Sequence, residues 1–354
     1  MIPVLPFELL HDCFAHAWST IQDREAWGSR WDFYCAISLL GVNYKRLMDS
    51  IALRRVIIHS SRDFNIYRKL TLSFFGTDKS SNVERVDPRV ARDFLKTAEL
   101  HIALADWTCT GPFRYKTDYE LIPNYIPTCR MVDVIIESHP SHDYFTPQYE
   151  PLFDCLALYE DSAPVVRISW TYTHIRRYVV PSRKVYGVRH LQLHNYPRCL
   201  CHKSMGSAWP GSSAAERHEY GCFSFNLPKL FPDLEHLYID TPYILKCITT
   251  PRACTRLEID APPVHSFPGR GCFGTLAHWN VISAVKAGLM QFKEEAGRED
   301  EEQATERTIV VNTGAEEPDG WAQTMLVCKE RNVNLERRVH DVRPVVPQRE
   351  DPAW

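Results

Sequence analysis

The chain has 354 residues, 44% hydrophobic and 24% charged, enough to bury a sizeable core without disulfide staples. A formal net charge of −3 gives no global electrostatic reason to expect nucleic acid or an anionic membrane as partner. No apolar run approaches the roughly 20 residues of a membrane span, Met1-Ile2-Pro3 lacks the basic start of an export signal, and the 12 cysteines are too dispersed for a disulfide framework; reduced thiols in the cytoplasm or nucleus are expected.

Residues 1–75 predict a helical unit. Pro6 presets φ for a helix start, Glu8 lies in the first turn where an acid complements the helix dipole, and Leu10, Cys13, Phe14 and Ala17 recur at helical spacing. Residues 18–30, with Ser19, Asp23, Gly28 and Ser29, interrupt that stripe before a second helix carrying Trp31, Tyr34, Cys35, Ser38 and Leu39. Asn43 is the expected cap of a third helix whose Tyr44, Leu47, Met48 and Ile51 share a face. Residues 55–59 form a short β-rich run, and Ser61 is the expected cap of a helix in which Phe64, Tyr67, Leu70, Thr71 and Phe74 repeat. The Ser-, Asp- and Asn-rich stretch 76–87 is expected to be a linker.

Residues 88–340 carry a different pattern, apolar-x-x-apolar-x-apolar. It occurs at Met131, Val134 and Ile136, at Val188, Leu191 and Leu193, at Leu234, Leu237 and Ile239, and at Cys254, Leu257 and Ile259, with Leu100 and Ile102 as a weaker member. Such alternation sends one set of side chains into a core and the next to an open sheet face, as in the strand half of a leucine-rich repeat. Uneven spacing makes the expected fold an irregular α/β solenoid, with an unrelated α/β domain as the alternative. Residues 307–312 predict a strand, Pro318-Asp319-Gly320-Trp321 opens a helix with Met325, Leu326 and Cys328, and Asn334, Leu335 and Glu336 predict a returning strand, parallel to the first. The acidic block 294–306 is expected to be a solvated face, and the Pro-rich tail 341–354 to be disordered.

Three motifs invite chemistry and fall short of it. Gly269, Gly271 and Gly274 have dinucleotide-site spacing, yet Pro262, Pro263 and Pro268 occupy the gap where a tight strand-to-helix turn is needed. Cys199, Cys201, His202, His218 and Cys222 offer zinc-ligand types without the usual paired spacing. His139, Ser141, His142 and Asp143 sit in a Pro-containing polar turn, whereas a triad is defined by geometry in space. No catalytic residue, metal or cofactor is therefore expected.

Leu5, Pro6, Glu8 and Leu9 at one end of the helical unit, with Ser38, Leu39 and Leu47 at the other, match the two ends of an F-box. Gly41 and Tyr44 replace the usual Cys and Trp. The run from Trp31 to Leu39 and on to Ile58 further resembles the F-box-like proteins of mushroom-forming fungi. The resemblance covers about the first 75 residues and only loosely the rest. It implies an N-terminal helical F-box-like unit followed by a leucine-rich-repeat-like solenoid, acting as the substrate receptor of a cullin ubiquitin ligase. Leu5, Pro6, Leu9, Leu10, Phe14, Leu39, Tyr44 and Leu47 would then contact a Skp-type adaptor or form the core behind it. The solenoid would hold a target protein, for which the aromatics Tyr144, Phe145, Trp209 and Tyr220 in long insertions are the candidate contacts. The alternative is an interaction scaffold, outside any ligase, whose F-box is vestigial.

Overall fold

The computed structural model describes residues 6–21, 29–80, 84–104, 121–136, 150–159, 163–171, 174–175, 183–196, 198–199, 223–240, 245, 248–260, 281–291, 306–315, 317–318 and 320–339. The chain divides into two compact units, residues 1–135 and 136–354. Both are mixed α/β with parallel strand pairing, the class expected from the sequence.

In the first unit, α1 (Phe7–Thr20), α2 (Ser29–Ser38) and α3 (Val42–Arg54) precede β1 (Arg55–Ile58), α4 (Ser61–Phe75), α5 (Pro88–Leu95), β2 (Glu99–Leu104) and β3 (Met131–Ile136). Helices α1 and α2 both pack on α3. Helix α3 starts after Gly41 instead of at Asn43; Gly41 has φ +148°, a conformation side chains resist. Ser60, not Ser61, caps α4: its backbone is extended, as a cap requires, and its hydroxyl accepts from the Asp63 N–H at 3.1 Å. Asp87 caps α5 in the same way, with Pro88 in the first turn.

An aromatic cluster holds these helices together. Trp31 meets Trp18 and Tyr67 edge-on at centroid distances of 5.4 and 5.1 Å. Each polar tip is satisfied: Trp31 Nε1 donates to Asp63 at 2.8 Å, Trp18 Nε1 to the Arg55 carbonyl at 3.0 Å, and Tyr67 Oη accepts from the Ile57 N–H at 3.1 Å. Two of those bonds reach β1, which pairs with β2 from Arg55 opposite Glu99 to Ile58 opposite Ile102.

The second unit contains α6 (Glu150–Ala157), β4 (Val165–Trp170), β5 (His174–Ile175), β6 (His190–His194), β7 (Arg198–Cys199), α7 (Phe223–Leu230), β8 (His236–Ile239), β9 (Arg256–Asp260), α8 (Val281–Lys286), β10 (Arg307–Thr313), α9 (Trp321–Glu330) and β11 (Val333–Val339). Its main sheet runs β4-β6-β8-β9-β10-β11, every neighbouring pair parallel, and β5 pairs with β7 separately. Register aligns the apolar positions. Val166, Leu191, Leu237, Leu257 and Ile309 form one buried row, and Ile168, Leu193, Ile239, Ile259 and Val311 a second. The residues before β4, β6 and β8 repeat one device: the carbonyl of Pro164 accepts from Arg189 and His190, that of Arg189 from Glu235 and His236, and that of Glu235 from Thr255 and Arg256.

Candidate functional site

Two surfaces, one in each unit, carry the side chains of interest. On the helical unit, the turn between α2 and α3 presents Leu39, Leu40 and Val42 at 86%, 63% and 68% exposure, and α1 presents Phe7 and Leu9 at 53% and 51%. Gly41 opens this turn, so three apolar side chains around it project without a covering element among the described residues. Single exposed apolar residues are ordinary, but three within four positions of one turn are a patch.

Beside it, α1 and α3 form an open groove lined by Phe7 and His11 of α1 and by Asn43, Arg46, Leu47, Ser50 and Arg54 of α3. Leu47 is its buried apolar element; Arg46 and Arg54 are exposed. Helix α3 is also anchored by Asp49, which receives Tyr34 Oη and, at 2.9 Å, Lys45 Nζ. Burial and the hydrogen bond to Asp49 push the Tyr34 phenol well above its ordinary pKa, so it stays a donor.

Of the expected adaptor residues, Leu9 and Leu39 are exposed, and so is Pro6 before α1; Leu10, Phe14 and Tyr44 are half-buried. Leu47 is buried, and Leu5 lies outside the described residues. Tyr144, Phe145, Trp209 and Tyr220 also lie outside them, as do the Gly269–Gly274 motif, the His139–Asp143 turn and all but Cys199 of the Cys/His set.

The second surface is the open face of the second unit's sheet. Alternation places His190 and Gln192 of β6 there, in register with His236 and Tyr238, and then with Arg256 and Glu258; His194, Asp240 and Asp260 lie at the ends of the same rows. Glu258 is the centre of this face. It accepts from Asn312 Nδ2 at 2.9 Å and lies within 3.4–3.7 Å of His236, Arg256 and Arg338. Burial opposes its charge, yet the Asn312 hydrogen bond and the surrounding cations hold its carboxyl below the usual range. His236 is driven the other way: burial lowers its pKa, against the pull of Glu258. Its Nδ1 lies 3.3 Å from that of His190. Tyr238 donates to Asp260 at 2.5 Å, and His194 pairs with Asp240 at 3.2 Å.

A smaller charged cluster sits on β2 and β3. His101 lies between Asp133 at 3.1 Å and Glu99 at 3.4 Å, and Arg130 closes on Glu99. Burial opposes protonation of His101, but the two carboxylates outweigh it and raise its pKa. The His101 hydrogen bond, aided by Arg130, lowers Glu99 to about 2. Sequence reasoning picked none of these polar residues. The alternation around them marks their face, but their partners follow from register between strands 20 or more residues apart.

Chemically, these networks pair carboxylates with donors, while His236 Nε2, Arg256 Nη2 and Asn312 Oδ1 are buried without a hydrogen bond of their own among the described residues. Among those residues no three His, Cys, Asp or Glu side chains are grouped to hold a metal, and no helix is long and apolar enough to cross a membrane. The buried thiols are suppressed, with burial pushing Cys129 and Cys254 up to about 12. Compared with known proteins, the chain matches no family model, no curated protein and no solved structure.

Proposed function

We propose that the chain is a substrate receptor of a cullin-type ubiquitin ligase, docking a Skp-type adaptor through its N-terminal helices and a target protein through a leucine-rich-repeat-like solenoid. The observation that carries the reading is the exposure of Leu9, Leu39, Leu40 and Val42. Leu9 and Leu39 are two of the residues that carry the F-box resemblance, and their exposed neighbours extend the surface that an adaptor would cover. The solenoid half is supported by a parallel sheet whose strand order follows chain order, and by the repeated carbonyl bracket before β4, β6 and β8. Such a receptor needs no catalytic residue; it raises the local concentration of target lysines near the ubiquitin carrier.

A second reading, an interaction scaffold with a vestigial F-box, draws on Leu47, which is buried in the helical core and serves packing whether or not an adaptor binds. Capture of a purified fungal Skp-type adaptor by the full chain separates the two. The receptor reading expects capture by the wild-type chain and loss of about tenfold or more for Leu9→Ala with Leu39→Ala, since a few anchors dominate such interfaces. No capture by the wild-type chain selects the scaffold.

A further inference from the structure

We infer that the groove between α1 and α3 is a docking site for an acidic amphipathic helix of a partner protein, with Arg46 and Arg54 receiving its carboxylates. The groove's α3 wall, Asn43, Arg46, Leu47, Ser50 and Arg54, follows helical spacing along one stripe, and Phe7 and His11 are one turn apart on α1. At 1.5 Å per residue the α3 wall runs about 16 Å, the length of three helical turns. Two facing helical stripes with an open channel between them suit a third helix laid along it.

The charge on the walls selects the occupant. Among the described residues neither Arg46 nor Arg54 pairs with a carboxylate, whereas Lys45, one position away, is held by Asp49. Arg54 instead lies over the Phe94 ring, 5.5 Å from its centroid, which holds the guanidinium in place and leaves its charge uncompensated. Arginine in that state is suited to bidentate capture of a carboxylate.

The apolar elements exclude other anions. Phe7 and Leu47 line the groove, and its α3 end begins at Asn43, directly after exposed Val42, Leu40 and Leu39. A nucleic-acid backbone would leave those side chains uncovered. An anionic membrane is held by clusters of about four to eight basic residues, more than two arginines and a histidine supply. An amphipathic helix answers both features, its apolar face covering the patch and its acids reaching the arginines.

For the identity of the partner the inference rests on the adaptor reading; for the chemistry of the groove it does not. The test uses the full chain and a fluorescent peptide about four helical turns long, with Leu on one face and Glu on the other, beside a counterpart in which Lys replaces Glu. Anisotropy is expected to show binding of the Leu/Glu peptide, weakening as salt is raised, and no binding of the Leu/Lys peptide. Arg46→Glu with Arg54→Glu is expected to weaken binding about tenfold or more, and the Gln pair by less, with unchanged circular dichroism. Equal binding of both peptides, unchanged binding by the folded Glu pair, or displacement by phosphatidylserine vesicles or an RNA oligonucleotide would overturn the inference. Adaptor capture runs in parallel. Capture that is equal for wild type and the Glu pair removes the adaptor as the groove's partner and leaves the receptor reading intact, while peptide binding without adaptor capture upholds the groove and defeats the receptor reading.

Discussion

The two units treat their surfaces in opposite ways. The helical unit leaves Leu39, Leu40 and Val42 in solvent and, among the described residues, two arginines without carboxylates, whereas the open sheet face of the second unit joins His236, Glu258, Asn312, Arg256 and Arg338 into one network. A surface whose charges are already paired gains little from a charged partner, because existing pairs must break before new ones form. A surface left unsatisfied gains most. The difference directs attention to the helices as the side of the molecule where partner binding releases the most free energy.

The largest effect on that comparison should come from the rows beneath the sheet. Leu237→Ala removes a fully buried side chain between Leu191 and Leu257 and is expected to cost about 2–5 kcal/mol in urea unfolding. The matching change at an exposed helical residue, Leu39→Ala, should shift stability by no more than about 0.5 kcal/mol. A cost at Leu39 as large as that at Leu237 would show that the patch is structural and collapse the contrast.

Asp63→Ala comes next. Its carboxylate takes Trp31 Nε1 at 2.8 Å, the His59 N–H at 3.1 Å and the Ser60 hydroxyl at 2.8 Å, so it ties α2 to the start of α4. Stranding the buried indole N–H and loosening the cap should together cost about 2–4 kcal/mol. Calorimetry of the variant checks it, and adaptor capture should weaken as the helical scaffold loosens.

Acid should pull the units in opposite directions. His101 has a raised folded pKa, so its stabilisation is complete below the unfolded value of 6.5 and is lost as pH rises through the folded one. Glu99 behaves inversely: its contribution is full above 4.5 and is lost as pH falls toward about 2. His236, lowered below 6.5, destabilises the fold as pH falls from 6.5 through its folded value. Hydrogen exchange read by mass spectrometry, between pH 4.5 and the raised His101 value, should show peptides of β2 and β3 gaining protection on acidification while those of β8 and β9 lose it. His101→Gln should abolish the first trend and spare the second.

The smallest effect belongs to Arg338→Ala. Its side chain is nearly half exposed at 3.5 Å from Glu258, and the expected change in unfolding free energy is about 0–1 kcal/mol.

The alternation of apolar residues made much of the second unit readable. Leu191 with Leu193, Leu237 with Ile239 and Leu257 with Ile259 are buried in register, and their strands neighbour one another in parallel. The same signal stands at β4, where Ala163, Val166 and Ile168 fit the motif and are buried. The closing strand–helix–strand unit of β10, α9 and β11 was also legible, because strand and helix periods differ clearly there. Caps shifted by one or two residues, since Ser60 and Ser61 have the same chemistry and only backbone conformation separates them. The α1–α3 groove and the Glu258 network had no signal of their own. One arises from how two helices pack and the other from which strands become neighbours, and neither relation is written along the chain.

The order β4-β6-β8-β9-β10-β11 is also the order in which a ribosome makes the strands. Each strand after β4 leaves the exit tunnel when one of its neighbours has already been made, and can pair with it at once. Growth of these strands therefore proceeds toward one edge, where the newest strand presents its unpaired backbone to the next. Among the described residues β11 stands last in this order, and Glu336, Arg337 and Arg338 set charges along it that discourage a second molecule from continuing the row.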